Sequence, residues 1–147
     1  MNKIKKKKKT EQQIIEAIRK RAVTVAKEIS KIRDKYRCQY CGVGKPQRMV
    51  HSHHICHEGL HRGMSADVDN LITLCASHHQ GGMWMRSNDG FNFHNSPRES
   101  TEWLIANYPE RYKILKTRSQ KAIKMDWQKK LSELKAELNN IKKYEQI

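Results

Sequence analysis

The apolar residues of the chain change their spacing twice, from helical to strand-like and back to helical. Near the N-terminus they recur at steps of three and four, which is the spacing of one face of an α-helix. These residues are Ile14, Ile18, Ala22, Val25, Ile29 and Ile32. Thr10 and Gln13 have the spacing of a capping box, in which each side chain bonds the backbone N–H of the other residue. The pattern therefore predicts a helix over residues 10–35.

The middle of the chain contains two short segments rich in β-branched residues. Residues 49–55 and 71–74 contain valine, isoleucine or threonine, which favour strands. We predict a strand in each segment, followed by a turn of helix over residues 75–80. A glycine-rich loop is predicted over residues 81–90.

The C-terminal third returns to helical spacing. Ser96 and Pro97 form a helix start with Ser96 as the cap, and Pro109 ends that helix and opens the next one. A long helix is predicted from about Ser119, with apolar residues at alternating steps of four and three, close to a heptad seam. They are Trp127, Leu131, Leu134, Leu138 and Ile141. The seam predicts pairing with the N-terminal helix of the same chain or, as a homodimer, with a second copy.

The chain has 147 residues, which predicts one domain. We divide it into a disordered basic tail (1–9), an N-terminal helix (10–35), a core (36–95) and C-terminal helices (96–147). Only 37% of the residues are hydrophobic, so the apolar core is expected to be modest. No run of about 18 apolar residues occurs, and no apolar segment follows the basic N-terminus. We therefore expect no membrane span, no secretory signal and a cytoplasmic protein.

The net charge of +15 lies on the two ends of the chain. Residues 1–37 contain fourteen basic and four acidic residues, 38–95 four of each, and 96–147 twelve basic and seven acidic residues. Basic flanks around a neutral core suit an enzyme that holds nucleic-acid phosphates, so DNA is the expected partner. The lysine-rich tail either binds phosphates without sequence preference or only keeps the protein soluble.

Two residue pairs have the spacing of zinc ligands. Cys38 and Cys41 form a CxxC pair, with Gly42 giving the turn its backbone freedom, and Cys75 and His78 form a CxxH pair. Together they predict a Cys3His structural zinc site in a reducing compartment, rather than two disulfides. The fourth cysteine, Cys56, is either a replacement ligand or, as we prefer, a free thiol.

The histidines predict a second metal site. His53 and His54 are adjacent in a predicted strand, so their side chains should point to opposite faces and have different roles. His78 and His79 are adjacent on a predicted helix, where neighbours lie about 100° apart. His78 can then face the zinc while His79 faces a different ion.

These motifs resemble the HNH endonuclease family, which has a ββα-metal or His-Me finger. The resemblance covers residues 36–95 and is carried by the CxxC pair, His53-His54, Asn70 and the CxxHH ending. It implies an α+β fold, with a small zinc-stabilised ββα-metal core flanked by long basic amphipathic helices. Phage HNH proteins of the recombination type are similar in having a lysine-rich helix after the core.

The resemblance also implies a reaction and its residues. The expected activity is hydrolysis of DNA phosphodiester bonds with one catalytic divalent ion and a histidine general base. By position, His53 and His79 would bind the ion, His54 would be the base, and Asn70 would brace the loop between the strands.

The chain departs from the family pattern in three places. His53 replaces the usual aspartate, and two imidazoles favour Mn²⁺ or Ni²⁺ over Mg²⁺. His78 replaces a usual cysteine. Glycines follow His79 almost at once, so the helix cannot continue to supply a further ligand, and His94 is predicted to fold back as the third one.

Four residues of the core are predicted to contact DNA: Lys45, Arg48, His57 and Arg62. Two other functions compete with the nuclease. One is a catalytically inactive, zinc-stabilised DNA-binding module, and the other is a structural protein that pairs through the C-terminal seam. The adjacent His53 and His54 favour the nuclease, because binding alone requires neither residue.

Overall fold

A computed structural model describes residues 9–81 and 90–145. Almost all of the predicted basic tail and most of the predicted glycine-rich loop lie outside these residues. Within them the elements are α1 (Glu11–Arg33), β1 (Val50–His54), β2 (Leu71–Cys75), α2 (Ala76–His79), α3 (Pro97–Asn107), α4 (Pro109–Ser119) and α5 (Trp127–Glu145). The predicted α+β class is confirmed. None of the helices in the described residues is long and apolar enough to cross a membrane.

The predicted capping box starts α1. The hydroxyl of Thr10 accepts the backbone N–H of Gln13 at 3.3 Å, and the Gln13 side-chain oxygen accepts the backbone N–H of Thr10 at 2.9 Å. These two bonds satisfy backbone donors that a helix N-terminus leaves without partners. The start of the helix is therefore fixed by local sequence alone.

The buried face of α1 differs from the predicted apolar stripe. Val23 and Ala26 are fully packed, whereas Ile14 is 48% exposed and Val25 is only partly buried. The helix contacts α5 as well as both strands, so its buried face is wider than one stripe and includes small residues where the elements approach closely. Ala22 and Ile29 of the predicted stripe are buried, and Ile18 and Val25 pack against the same core, whereas Ile14 is exposed.

The start of α5 was predicted too early. Helix α4 continues to Ser119, residues 120–126 form a connection, and α5 begins at Trp127. The carboxylate of Asp126 accepts the backbone N–H of Lys129 at 3.0 Å and caps the new helix. The α5 seam, with Leu131 and Leu134 fully buried, packs on α1 of the same chain. Homodimer formation stays a prediction.

The prolines of α3 and α4 lie as predicted, and Ser96 is the N-cap residue of α3, but it caps without its side chain. Pro97 and Pro109 each occupy a first helical position, and the break between the helices falls at Tyr108. The Ser96 side chain makes no capping bond; instead its carbonyl oxygen accepts the hydroxyl of Ser100 at 2.6 Å.

The two strands form an antiparallel hairpin that holds the functional residues. Val50 lies opposite Cys75, and His54 lies opposite Leu71. Every residue of β2 is buried, because α1 covers one face and a second apolar cluster covers the other. This second cluster contains Cys38, Ile72, Leu74, Cys75, Phe93 and Leu104. The sheet therefore separates the α1–α5 core from a small core that includes two of the predicted zinc ligands.

Candidate metal centres and active site

The four predicted zinc ligands converge on one point. Their ligand atoms, the sulfurs of Cys38, Cys41 and Cys75 and a ring nitrogen of His78, all lie within 4.8 Å of one another. The Cys41 and Cys75 sulfurs are 3.9 Å apart, and His78 Nδ1 lies 3.7 Å from the Cys38 sulfur and 3.2 Å from the Cys75 sulfur. Tetrahedral zinc requires about 3.8 Å between two sulfurs and about 3.6 Å between sulfur and nitrogen. The cluster therefore fits a tetrahedral metal ion such as zinc.

Two glycines make the CxxC turn. Gly42 has a φ of +76°, and its N–H donates to the Cys38 carbonyl at 2.7 Å. At Gly44 a β-carbon would lie 2.1 Å from the Tyr36 carbonyl oxygen, so only glycine fits this close backbone approach. These positions explain how the two cysteines of the turn face one point.

Hydrogen bonds prepare Cys75 to bind a metal. Burial raises the pKa of its thiol, but hydrogen bonds from the Ser77 hydroxyl and from His78 outweigh burial and lower the pKa to about 6. Cys38 lies deeper, and burial raises the pKa of its thiol to about 12. A bound cation reverses that effect, because a coordinating thiol loses its proton. Of these two cysteines, Cys75 is therefore the one that forms a thiolate more readily.

Cys56 lies outside the Cys3His cluster and is a free thiol, as predicted. It belongs to the loop between the strands that Asn70 braces. The fully buried Asn70 side chain accepts the Cys56 N–H at 2.7 Å and donates to the carbonyls of Cys56 and Met64, each at 3.1 Å. These three bonds hold the chain between β1 and β2 in one conformation. The structure thus places Asn70 as the brace between the strands.

A second cluster contains three histidines and no cysteine. Ring nitrogens of His53 on β1, His79 at the end of α2, and His94 all lie within 4.8 Å of one another. The ring centroids are 5.3 Å apart for His53 and His79, and 4.9 Å apart for His79 and His94. Three converging imidazoles can hold one divalent ion and leave other coordination positions to water or substrate.

His94 reaches this cluster through a backbone connection to α2. The Phe93 N–H donates to the His78 carbonyl at 2.8 Å, and the His94 N–H donates to the His79 carbonyl at 3.2 Å. Gly81, with a φ of +63°, ends the helical turn where a larger residue would meet the Asn92 side chain. The chain therefore returns alongside α2, which brings His94 next to His79.

His53 and His79 of the second cluster are neutral at physiological pH. Burial lowers the pKa of His53 to about 3, and the neighbouring His79 and His94 lower it further. Burial likewise lowers the pKa of His79 to about 4, with help from His94 and His51. A neutral imidazole has the lone pair that binds a metal, so both rings are in the binding form.

His54 lies beside the cluster with one nitrogen fixed and the other available. Its Nε2 lies 2.9 Å from the Ser65 carbonyl oxygen, which can only accept a hydrogen bond. Nε2 therefore carries the ring proton, and Nδ1 of the neutral ring has the lone pair. Burial lowers the pKa of His54, whereas the bond to Ser65 and the charge of Glu58 oppose that shift. Nδ1 can thus accept a proton from water.

An ion-pair network supports this side of the site. Glu58 Oε2 lies 3.8 Å from His54 Nδ1, and Glu58 Oε1 accepts the Arg19 guanidinium at 2.5 Å. Arg19 also bonds Glu16, which in turn pairs with Arg62. Burial raises the pKa of Glu58, but the hydrogen bond to Arg19 and the nearby positive charges together outweigh burial and lower the pKa. Glu58 therefore stays ionised beside His54.

The three histidines of the second cluster and His54 line one cleft of about 450 Å³. His53 and His54 both face it, although adjacent strand residues were expected to face opposite sides, because His54 is the last residue of β1. They nevertheless have different neighbours. His57 and Arg62 also line the cleft, as their predicted role in DNA contact requires.

Lys45 and Arg48 do not line this cleft. The Lys45 ammonium lies 4.9 Å from the centre of the Tyr36 ring, and Arg48 donates to the Ser77 hydroxyl at 3.3 Å. Arg48 therefore lies beside the Cys3His cluster, and the predicted contact of both residues with DNA is not part of this cleft. Charge and position in the sequence do not determine the direction of a side chain.

Three charged residues of the cleft were not among the predicted site residues. Arg19 and Lys27 are contributed by α1, and Glu58 by the loop after β1. The sequence could have indicated that Arg19 is buried, because it lies one turn before Ala22 and Val23 on an otherwise apolar face of α1. Nothing in the sequence distinguishes Lys27 from the other lysines of this helix.

A comparison of the chain with models of known protein families, with characterised proteins and with solved structures finds no match. The function is therefore argued from the geometry of the two clusters and the cleft.

Proposed function

We propose that the protein is a metal-dependent HNH endonuclease that hydrolyses DNA phosphodiester bonds. The observation that supports this most strongly is the convergence of His53, His79 and His94 beside the correctly oriented base His54. The convergence is separate from the Cys3His cluster, and a protein that only binds DNA has no need of it. The net charge of +15 is consistent with a nucleic-acid substrate.

In the proposed reaction His54 takes a proton from water at Nδ1. The resulting hydroxide attacks the phosphorus in line with the 3′ oxygen. The P–O bond breaks with its electron pair going to that oxygen, which takes a proton from water, so the products are a 5′ phosphate and a 3′ hydroxyl. The Ser65 carbonyl keeps the imidazole in the reactive tautomer, and Glu58 stabilises the ring when it becomes charged. A divalent ion held by His53, His79 and His94 would supply positive charge to the phosphate oxygens.

We assign the Cys3His cluster to a structural zinc ion. Its sulfur and nitrogen ligands match the preference of zinc, and its four protein ligands leave no position for substrate. The cluster joins the CxxC turn to α2, which carries His79. Its proposed role is to position the second centre rather than to take part in the reaction.

Replacing Lys27 with glutamine should slow cleavage by about tenfold to a hundredfold, the size of one lost bond to a charged group. Within the described residues no hydrogen bond or ion pair engages the Lys27 ammonium, whereas Arg19 and Arg62 are neutralised by glutamates. The Ser52 hydroxyl donates to the Lys27 carbonyl at 3.0 Å and holds this part of α1 against β1. Lys27 is thus placed to bind the phosphate. The measurement is the nicking rate at saturating DNA.

Lys135→Gln is the matched control for Lys27→Gln. It removes the same charge from an exposed helical position on α5, outside the cleft. The control should change the rate by about twofold or less, because a distant phosphate contact carries only general electrostatic attraction. Equal losses in both variants would show that Lys27 acts only through net charge.

The proposed ligand set predicts the metal preference. Nicking of plasmid DNA should be faster with Mn²⁺ or Ni²⁺ than with Mg²⁺, because imidazole nitrogens suit these ions better than the oxygen-seeking Mg²⁺. His94→Ala should weaken activation by Mn²⁺, seen as a higher Mn²⁺ concentration for half-maximal rate.

A clear preference for Mg²⁺ would contradict the three-histidine site and require a carboxylate ligand. Asp67 and Asp69 are poor candidates for that ligand, because both carboxylates pair with Arg118, at 2.7 and 3.0 Å. Neither aspartate lines the cleft.

A further inference from the structure

A second cavity opens directly beside the catalytic cleft. It has a volume of about 410 Å³ and lies between the loop after β1 and helices α3 and α4. His53, His54, His57 and His94 line both the cleft and this cavity. The two cavities therefore adjoin, and one ligand can occupy both.

The walls of this cavity are unlike those of the cleft. Its floor is apolar and partly aromatic, formed by Phe93, Leu104, Tyr112 and Leu115, whereas the cleft is lined mainly by charged and imidazole side chains. Phe93, Leu104 and Leu115 are each at most 5% exposed, so they form a packed surface. A packed apolar and aromatic surface favours a flat, uncharged ring over a phosphate.

Polar groups stand along the α3 side and at the rim. The Ser100 hydroxyl donates to the Ser96 carbonyl at 2.6 Å, and the Thr101 hydroxyl donates to the Pro97 carbonyl at 2.9 Å. Since each hydroxyl hydrogen is already used, each oxygen offers its lone pairs to an N–H donor. The Lys116 ammonium also lines the cavity and can pair with a phosphate.

We propose that this cavity, here named the base pocket, receives one unpaired nucleobase next to the phosphate that is cleaved. The proposal rests on the proposed nuclease function and names the substrate class of the same site. The base would lie against Tyr112, the partly exposed ring of this wall, and its N–H groups would donate to the Ser100 and Thr101 hydroxyls. A base inside a duplex must leave its stack to enter such a pocket. The preferred substrate is therefore single-stranded or locally unpaired DNA.

Thr101 offers a matched pair of variants. Thr101 and Thr117 are both helical threonines whose hydroxyls donate to the carbonyl four residues earlier, at 2.9 and 3.1 Å. Thr101 lines the base pocket, whereas Thr117 is exposed and outside it. Thr101→Trp fills the pocket, and Thr117→Trp makes the same chemical change without filling it.

The test uses two fluorescein-labelled octanucleotides of equal charge, one of thymidine and one in which every sugar lacks its base. Fluorescence anisotropy, without added catalytic metal, measures their affinities for the full-length protein. The wild type should bind the thymidine octamer about fivefold or more tightly than the abasic one, the lower end for one stacked base. Thr101→Trp should lose this preference, and Thr117→Trp should keep it. With Mn²⁺, the wild type should cleave the single strand faster than the matching duplex.

Equal affinity of the wild type for the two octamers would overturn the base pocket, and this result needs no variant to fold. An undiminished preference in Thr101→Trp would overturn it as well. If the wild type shows the binding preference but cleaves no DNA with any of the metals, the result contradicts the nuclease function and supports the base pocket. If it cleaves DNA without the preference, the nuclease function stands and the pocket fails.

Discussion

Replacing His54 with alanine is expected to abolish nicking of supercoiled DNA in the presence of Mn²⁺. General-base catalysis contributes about a hundredfold to ten-thousandfold in rate, so the remaining activity should fall to the background of a plasmid assay. The ring is not a member of either metal cluster, and its bonded neighbour is a backbone carbonyl that water can satisfy. Zinc content, the unfolding midpoint and DNA affinity should therefore stay near wild-type values.

Two comparisons make the His54→Ala result specific. Added imidazole should restore part of the lost rate, because it supplies the missing base to the space that the side chain left. A preparation with nicking unchanged from wild type would show that His54 does not act as the base. The same result, with DNA affinity retained, would favour the competing function of a zinc-stabilised DNA-binding module.

Replacing Cys75 with serine should remove one bound zinc ion per chain and abolish cooperative unfolding. Structural zinc in small domains is bound with an apparent free energy of about 10–16 kcal/mol, comparable with the whole stability of a domain, about 5–15 kcal/mol. No other cysteine of the described residues can replace Cys75, because it is a buried member of the Cys3His cluster at the junction of β2 and α2. Metal content by mass spectrometry and thermal unfolding by circular dichroism measure the two effects.

Cys56→Ser is the matched control for Cys75→Ser. It makes the same chemical change at a half-buried cysteine outside the Cys3His cluster. The bond of Cys56 to Asn70 comes from its backbone N–H and does not involve the thiol. Zinc content should be unchanged, and the midpoint should shift little. Identical zinc content and identical unfolding in the two variants would contradict the ligand set.

The features that the sequence predicted well depend on residues close together in the chain. The capping box of Thr10 and Gln13, the proline starts of α3 and α4, and the CxxC turn each act within a few residues, so spacing alone determines them. The Cys3His cluster joins two such local pairs, and its chemistry restricts how they can meet.

The features that the sequence predicted poorly depend on packing between distant segments. The buried face of α1 is set by its contacts with α5 and the sheet, neither of which its own periodicity records. Lys27 faces the cleft because Ser52 holds α1 against β1, and Glu58 lies there because Arg19 pairs with it across 39 residues. A prediction of DNA contacts from charge therefore includes Lys45 and Arg48, which lie outside the cleft, and leaves out Lys27, which lines it.

The four-residue helix α2 has a consequence for assembly. His78 belongs to one cluster and His79 to the other, and their carbonyls accept the N–H groups of Phe93 and His94. One turn of backbone thus fixes two of the three histidines at the proposed catalytic ion. If zinc orders that turn, zinc must bind before His79 and His94 reach the positions in which they bind the catalytic ion. In a cell short of zinc, the chain would then be made but would not cleave DNA.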